Sequence, residues 1–130
     1  MKRPGRSANS KAAVLVLLSF GLFLLVTRGD EYRRSVKRAR EAVSKQDLAV
    51  MRNAIKSYTS DKLRPPQSLQ DLSDERYLRE IPTDPLTGKR DWVPHFGNVR
   101  IGPGKTLFGI DDLHSSATQS DSKGTHYKDW

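Results

Sequence analysis

The chain has no cysteine among its 130 residues. Disulfide stapling is therefore excluded, and so is any thiolate-held zinc or iron–sulfur centre. Other catalytic chemistry is equally short of residues. No serine sits in a nucleophile elbow. His95, His114 and His126 lack the i,i+4 spacing of a helix-borne metal pair. Carboxylates such as Asp74-Glu75 and Asp111-Asp112 are chain neighbours, so they do not form an acid and base facing each other across a pocket. Gly102-Pro103-Gly104-Lys105-Thr106 resembles the end of a phosphate-binding loop. The first glycine of that motif would fall at Val99, and no helical pattern follows. A catalytic role has no residue set behind it, and the expectation is that the protein is not an enzyme.

Charge is absent from Ala12 to Thr27, which reads AAVLVLLSFGLFLLVT. Sixteen helical residues span roughly 24 Å, somewhat less than the ~30 Å of a bilayer core. Lys11 and Arg28 can make up the difference by snorkelling. Thr27-Arg28-Gly29-Asp30 is no small-x-small cleavage site, so the segment reads as a retained anchor rather than a cleaved signal peptide. The net charge of +8 is unevenly distributed. Residues 1–11 carry +4, residues 28–64 carry +6, and residues 65–130 carry −2. Cations on both sides of the apolar run leave its orientation undecided. The near-neutral C-terminal half argues against a nucleic-acid-binding domain.

Proline is absent from Asp30 to Ser60, and good helix formers dominate there. Val36, Ala39, Val43, Val50, Met51, Ala54, Ile55 and Tyr58 recur in steps of three, four and seven, which predicts one apolar stripe. No stop signal separates this stretch from the anchor. One helix should therefore run through both, with its second part amphipathic. Ile55 and Tyr58 should pack on the chain's own domain. Val36 and Val43 have little chain nearby to cover them and invite another helix. Asp30–Arg34 and Glu41–Lys45 are i,i+4 pairs in the favourable order.

Leu63-Arg64-Pro65-Pro66 ends the helix. Ser68 is a candidate N-cap for a short helix carrying Leu69, Leu72, Tyr77, Leu78 and Ile81 on one side, with Asp71 placed to support its start. Pro82-Thr83-Asp84-Pro85 and Thr87-Gly88 are turn chemistry. Three β-like runs follow, 91–96, 98–101 and 107–110, separated by Gly97 and by Gly102-Pro103-Gly104. They predict a small antiparallel meander whose first run is an edge strand because of Pro94. The polar tail 115–128 leads to Tyr127 and Trp130, expected to fold back onto the sheet.

The expected fold class is α+β, in four parts. A basic N-terminus (1–11) precedes a transmembrane helix (12–27), an amphipathic continuation (28–62) and a small globular domain (63–130). This order resembles the pilins. Ala54-Ile55-Lys56-Ser57-Tyr58, Asp61, Pro65, Leu69, Leu72, Tyr77-Leu78, Pro82, Asp84, Pro85 and Gly88 resemble, in order, the motifs of the major pseudopilin of type II secretion systems. Gly109 to Ser115 and Gly124 to Trp130 are similar to that family's C-terminal loop. The resemblance covers roughly residues 36–130. It implies a structural subunit in the inner membrane, single-pass, with a periplasmic domain. That subunit would assemble with itself, other pseudopilins and inner-membrane components of the secretion machine, through Val36, Ala39, Val43, Val50 and Met51. It implies no nucleic-acid partner.

The resemblance further implies calcium in the C-terminal loop, held by Asp111, Asp112, Ser115 and Asp121. On the residues alone, a solvated polar loop is the other reading, because calcium takes six to eight oxygens. The sequence departs from the family in four respects. Lys11-Ala12-Ala13-Val14 stands where a prepilin cleavage site is expected, and the apolar segment lacks the family's glutamate. Lys62 replaces the turn glycine, and Leu86-Thr87 replaces the tryptophan before Gly88. These departures keep a second reading open: an anchored, non-assembling pilin-like protein that binds DNA, lipid or a partner protein through Arg33, Arg34, Lys37, Arg38 and Arg40.

Overall fold

The computed structural model describes residues 7–130; the side chains of residues 7–9 and Thr27 fall outside that description. Lys2, Arg3 and Arg6 of the basic N-terminus lie outside the described residues. Helix α1 runs over Ser7–Lys62, a single 56-residue element, as the missing stop signal predicts. It contains an 18-residue window of mean hydropathy 2.1, none of it buried, and is long and apolar enough to cross a membrane. Helix α2 (Gln70–Asp74), strands β1 (Val93–Gly102) and β2 (Lys105–His114), and a 3-10 turn at Tyr127–Asp129 follow. The arrangement is α+β and pilin-like: a long N-terminal helix, a short helix and a two-stranded antiparallel sheet. The described residues divide into two compact units, with the boundary between Val36 and Lys37.

Within the second unit, α1 buries Glu41, Ser44, Leu48, Met51, Ile55 and Tyr58. The steps alternate between three and four, so the six lie on one face of the helix. Leu48, Met51, Ala54, Ile55 and Tyr58 meet Leu72, Leu78, Trp92, Ile110 and Leu113 in one core. Tyr58 and Tyr77 touch edge to face with ring centres 5.3 Å apart, and the Tyr77 hydroxyl donates to Asp61 at 3.0 Å. The helix stops where Leu63 turns to φ 51, just ahead of two buried prolines.

The short helix is shorter than its sequence pattern predicts. Arg76 has φ 65, which breaks the helical path, so Tyr77, Leu78 and Ile81 reach the core from turns. Ser68 and Asp71 still form a reciprocal box one position ahead of the helix. Asp71 Oδ2 accepts from the Gln67 and Ser68 amides at 2.8 and 3.1 Å, and the Asp71 amide donates to Ser68 Oγ at 3.3 Å.

The sheet also differs from expectation. Gly97 does not separate two strands: β1 runs through it and pairs with β2 from Val93↔His114 to Gly102↔Lys105, with irregularities at His95/Phe96 and Arg100/Gly102. The meander is therefore a hairpin. Gly102-Pro103-Gly104-Lys105 closes it as a two-residue turn, with proline first and Gly104 at φ 67, the type II pattern. The segment that imitates a phosphate loop is this turn. The outer edge of β2 is covered in part: the Ile110 amide donates to Pro66 O at 2.9 Å, and Gln67 Nε2 donates to Phe108 O at 3.0 Å. That approach requires Gly109, because a Cβ there would lie 2.5 Å from Pro65 Cγ.

Candidate functional site

The predicted assembly stripe divides between two faces of α1. Met51 is fully buried in the core and is not available to another helix. This corrects its placement beside Val50: successive residues turn about 100°, so the two face different ways. Val43 and Val50 remain 49% and 48% exposed, and Ala39 is exposed as well. They lie roughly 120° around the helix from the buried face at 100° per residue. Val36, in the first unit, is half-buried.

The buried face begins with polar residues that the hydrophobic pattern could not reveal. Ser44 is fully buried and donates to Oδ1 of Asp84 at 3.2 Å. Asp84 is itself fully buried. Its Oδ1 also accepts the Leu86 amide at 2.9 Å, and its Oδ2 accepts the Ser115 hydroxyl. The Asp84 amide donates to Lys89 O and its carbonyl accepts the Gly88 amide, both at 2.8 Å, with Gly88 at φ 72. Asp84, Pro85 and Gly88 thus form a turn locked at its centre by a carboxylate. That carboxylate also ties the turn to α1 and to the end of β2. Pro82 takes part through its carbonyl, which accepts from Trp92 Nε1 at 2.8 Å. Asp47, partly buried nearby on α1, has its pKa raised, first by burial and then by the Asp84 charge.

A second polar node sits one turn earlier. Glu41 is 8% exposed; its carboxylate accepts from the Tyr127 hydroxyl at 3.0 Å and from the Ser122 hydroxyl at 2.8 Å. Lys37 Nζ lies 3.8 Å from Glu41 and donates to Ser120 O at 3.0 Å. Burial, and then the bond to Glu41, push the Tyr127 hydroxyl up to about 12. Trp130 meets Tyr127 edge to face and lies under Lys45 Nζ, 4.1 Å from its ring centre. Arg52 Nη2 donates to Trp130 O at 2.6 Å. The tail therefore folds back onto β2, as expected, and onto α1 as well. The expected Glu41–Lys45 pair does not form: Glu41 takes Tyr127 and Lys45 lies 3.9 Å from Asp121.

The four residues assigned to calcium are not brought together. Asp111 binds His95 Nδ1 at 2.6 Å, and Asp112 binds Arg52 Nε at 2.6 Å. Ser115 serves Asp84. Asp121 accepts the Lys123 and Thr125 amides at 2.7 and 2.9 Å and Trp130 Nε1 at 3.3 Å. Each oxygen set is organised around its own donor, and no cluster of three or more candidate ligands occurs among the described residues. The donor set does not fit a calcium cage of six to eight oxygens.

Among the five cations assigned to binding, Lys37 is engaged in the Glu41 node, whereas Arg33, Arg34, Arg38 and Arg40 are exposed and make no ion pair with the described residues. Comparison with family models, characterised proteins and solved structures finds no match to this chain.

Proposed function

We propose that the protein is a pseudopilin-like structural subunit of a type II secretion, or type IV pilus-like, machine, and that its work is helix packing rather than catalysis. In this reading α1 anchors the chain in the inner membrane as a single span, with the globular unit on the periplasmic side. Like subunits and inner-membrane components of the machine are the partners. The observation that carries the reading is the division of α1 into two faces. One face is consumed by the chain's own core, while Val43 and Val50 stay half-exposed on another. Apolar side chains spaced at seven residues on a free helix face match the repeat by which one helix packs on another. The pilin-like order of elements and the turn built on Asp84 support the same reading.

The absence of cysteine makes the test direct. Single cysteines replace Val36, Val43 and Val50 in the full chain, and oxidative cross-linking is read in native membranes. The reading expects a ladder of oligomers, strongest from positions 43 and 50. Monomer only, with free labelling by an impermeant maleimide, would reject it.

The second reading, an anchored pilin-like protein that binds rather than assembles, is favoured by one observation: the apolar run contains no glutamate and begins with Lys11-Ala12-Ala13-Val14. Its binding residues would be Arg33, Arg34, Arg38 and Arg40, which are exposed and form no ion pair among the described residues. Salt-sensitive binding of DNA or of vesicles, lost when the four are neutralised, would establish it.

A further inference from the structure

Helix α1 carries one spacing twice. Its buried face steps by three and four residues from Glu41 to Tyr58. A second series, Ala39, Val43, Gln46, Val50, Asn53 and Ser57, alternates steps of four and three, and all six are exposed. At about 100° per residue this series is centred roughly 160° around the helix from the buried face. An average step of about 3.5 residues is the repeat that keeps one seam against a partner helix.

A solvated helix face of this length ordinarily carries charge. This one carries none. Between Ala39 and Ser60 the charged residues Arg40, Glu41, Lys45, Asp47, Arg52 and Lys56 all stand outside the series, and Ala42 and Ala49 border it. Gln46 and Asn53 lie seven positions apart on the seam, and neither side chain makes a hydrogen bond among the described residues. Lys56 and Asp61 flank the seam, one on each side. Lys56 is exposed and forms no ion pair among the described residues. Asp61, also exposed, accepts the Tyr77 hydroxyl at 3.0 Å and is paired with no cation among the described residues.

From these placements we infer that a second copy of this chain packs on the seam, parallel and in register. Gln46 and Asn53 each hydrogen-bond their own counterparts, and Lys56 of each copy pairs with Asp61 of the other. This placement of a second copy rests on the reading that the exposed face of α1 assembles; it adds the occupant and the register. Two chains anchored by the same end in one membrane run parallel. In a parallel heptad pair, the residue flanking one side of a seam meets the residue five positions on in the other helix. Five positions on from Lys56 is Asp61. A stagger of one heptad sets Lys56 against Ala54, which is buried in its own core, or beyond the end of α1 at Lys62. An antiparallel pair sets it against Ala42, Ala49 or another Lys56. Of these arrangements only the in-register pair gives Lys56 an acid. A carboxamide both donates and accepts, so each amide satisfies an identical partner. A polar residue in such a seam fixes register at a cost in stability.

The test cross-links the full chain in native membranes. Val43→Cys and Val50→Cys should each give disulfide dimers when expressed alone. Expressed together under two different tags, they should give no mixed dimer: seven helical residues put the mixed pair roughly 10 Å out of step, beyond disulfide reach. In a Gln46→Leu/Asn53→Leu background the mixed dimer should appear, because register is no longer fixed. With Val50→Cys as the reporter, Lys56→Glu and Asp61→Lys should each lose dimer when expressed alone. Expressed together, the two variants should form mixed dimers above the share that random pairing gives, because that combination rebuilds both ion pairs. Rescue in the mixed pair excludes misfolding as the cause of the single losses. No dimer from either cysteine position would overturn the inference together with the assembly reading. A mixed 43–50 dimer with Gln46 and Asn53 in place would leave assembly standing and overturn the inference. So would cross-linking solely to a protein of different mass.

Discussion

Ser44 on α1 donates to Oδ1 of Asp84, 3.2 Å away and 40 residues later, and both side chains are fully buried. The pair links the helix to the Pro82–Gly88 turn inside the core, away from bulk solvent. Asp84→Ala would leave the Ser44 and Ser115 hydroxyls and the Leu86 amide without their acceptor. The expected loss is about 2–5 kcal/mol. Ser44→Ala should cost about 1 kcal/mol, with little further loss when added to Asp84→Ala. Denaturant unfolding of the four-member cycle measures that coupling.

That node also shows what was legible in the sequence. Pro82, Asp84, Pro85 and Gly88 announce a turn by composition, and the structure has one. The partners of Asp84 do not announce themselves, because a serine on a helix carries no sign that it is buried. Glu41 and Ser44 continue the spacing of Leu48, Met51, Ile55 and Tyr58, but a hydrophobic pattern skips polar residues. A hydrophobic pattern therefore runs Val43 and Val50, which stay half-exposed, together with the buried Met51, Ile55 and Tyr58 as if they shared one face. The single long helix was legible because it needs only good helix formers and no stop. The early end of α2 was not, because it depends on a left-handed Arg76.

The division of α1 into two faces predicts opposite phenotypes for neighbouring residues. Val43→Asp should abolish cross-linked oligomers while the denaturation midpoint moves little. Met51→Asp should unfold the globular unit, since an unpaired carboxylate in the core costs several kcal/mol. Circular dichroism melts beside the cross-linking gel separate the two. Equal loss of fold in both variants would reject the division.

Acid stability should carry contributions of opposite sign. Asp112 and Asp121 are pushed up by burial, but this is more than offset: Arg52 and the Leu113 amide hold Asp112 low, and the Thr125 and Lys123 amides hold Asp121 low. Their stabilisation is present above the unfolded carboxylate value and is lost as pH falls through the depressed folded values. Asp47 has a raised pKa, so its ionised form disfavours the fold at neutral pH, and protonation on acidification relieves that penalty. Asp47→Asn should therefore raise the melting temperature at pH 7, and the gain should shrink as pH falls toward the ordinary aspartate range. A gain independent of pH would assign the effect to something other than charge.

The Tyr127 hydroxyl sets the alkaline side. The folded chain keeps this proton to about 12, whereas an unfolded tyrosine releases it near 10. Stability attached to this group is complete below about 10 and declines as pH rises from there to about 12. Tyr127→Phe should flatten that decline. At neutral pH it should cost about 1 kcal/mol through the lost bond to Glu41. Melts at pH 7 and across the alkaline range read both effects.

The bond from Tyr127 to Glu41 spans 86 positions of chain, and this imposes an order in time. At 5–20 residues per second, roughly 4–17 s of synthesis separate the two residues. Through that interval Glu41 has been made but its principal donor has not. The apolar run at 12–27, by contrast, is complete before Glu41 exists. A ribosome making this chain therefore completes the apolar run first and closes the globular unit much later. A nascent chain stalled before residue 122 would present α1 with an open acidic notch where the finished protein has a sealed one.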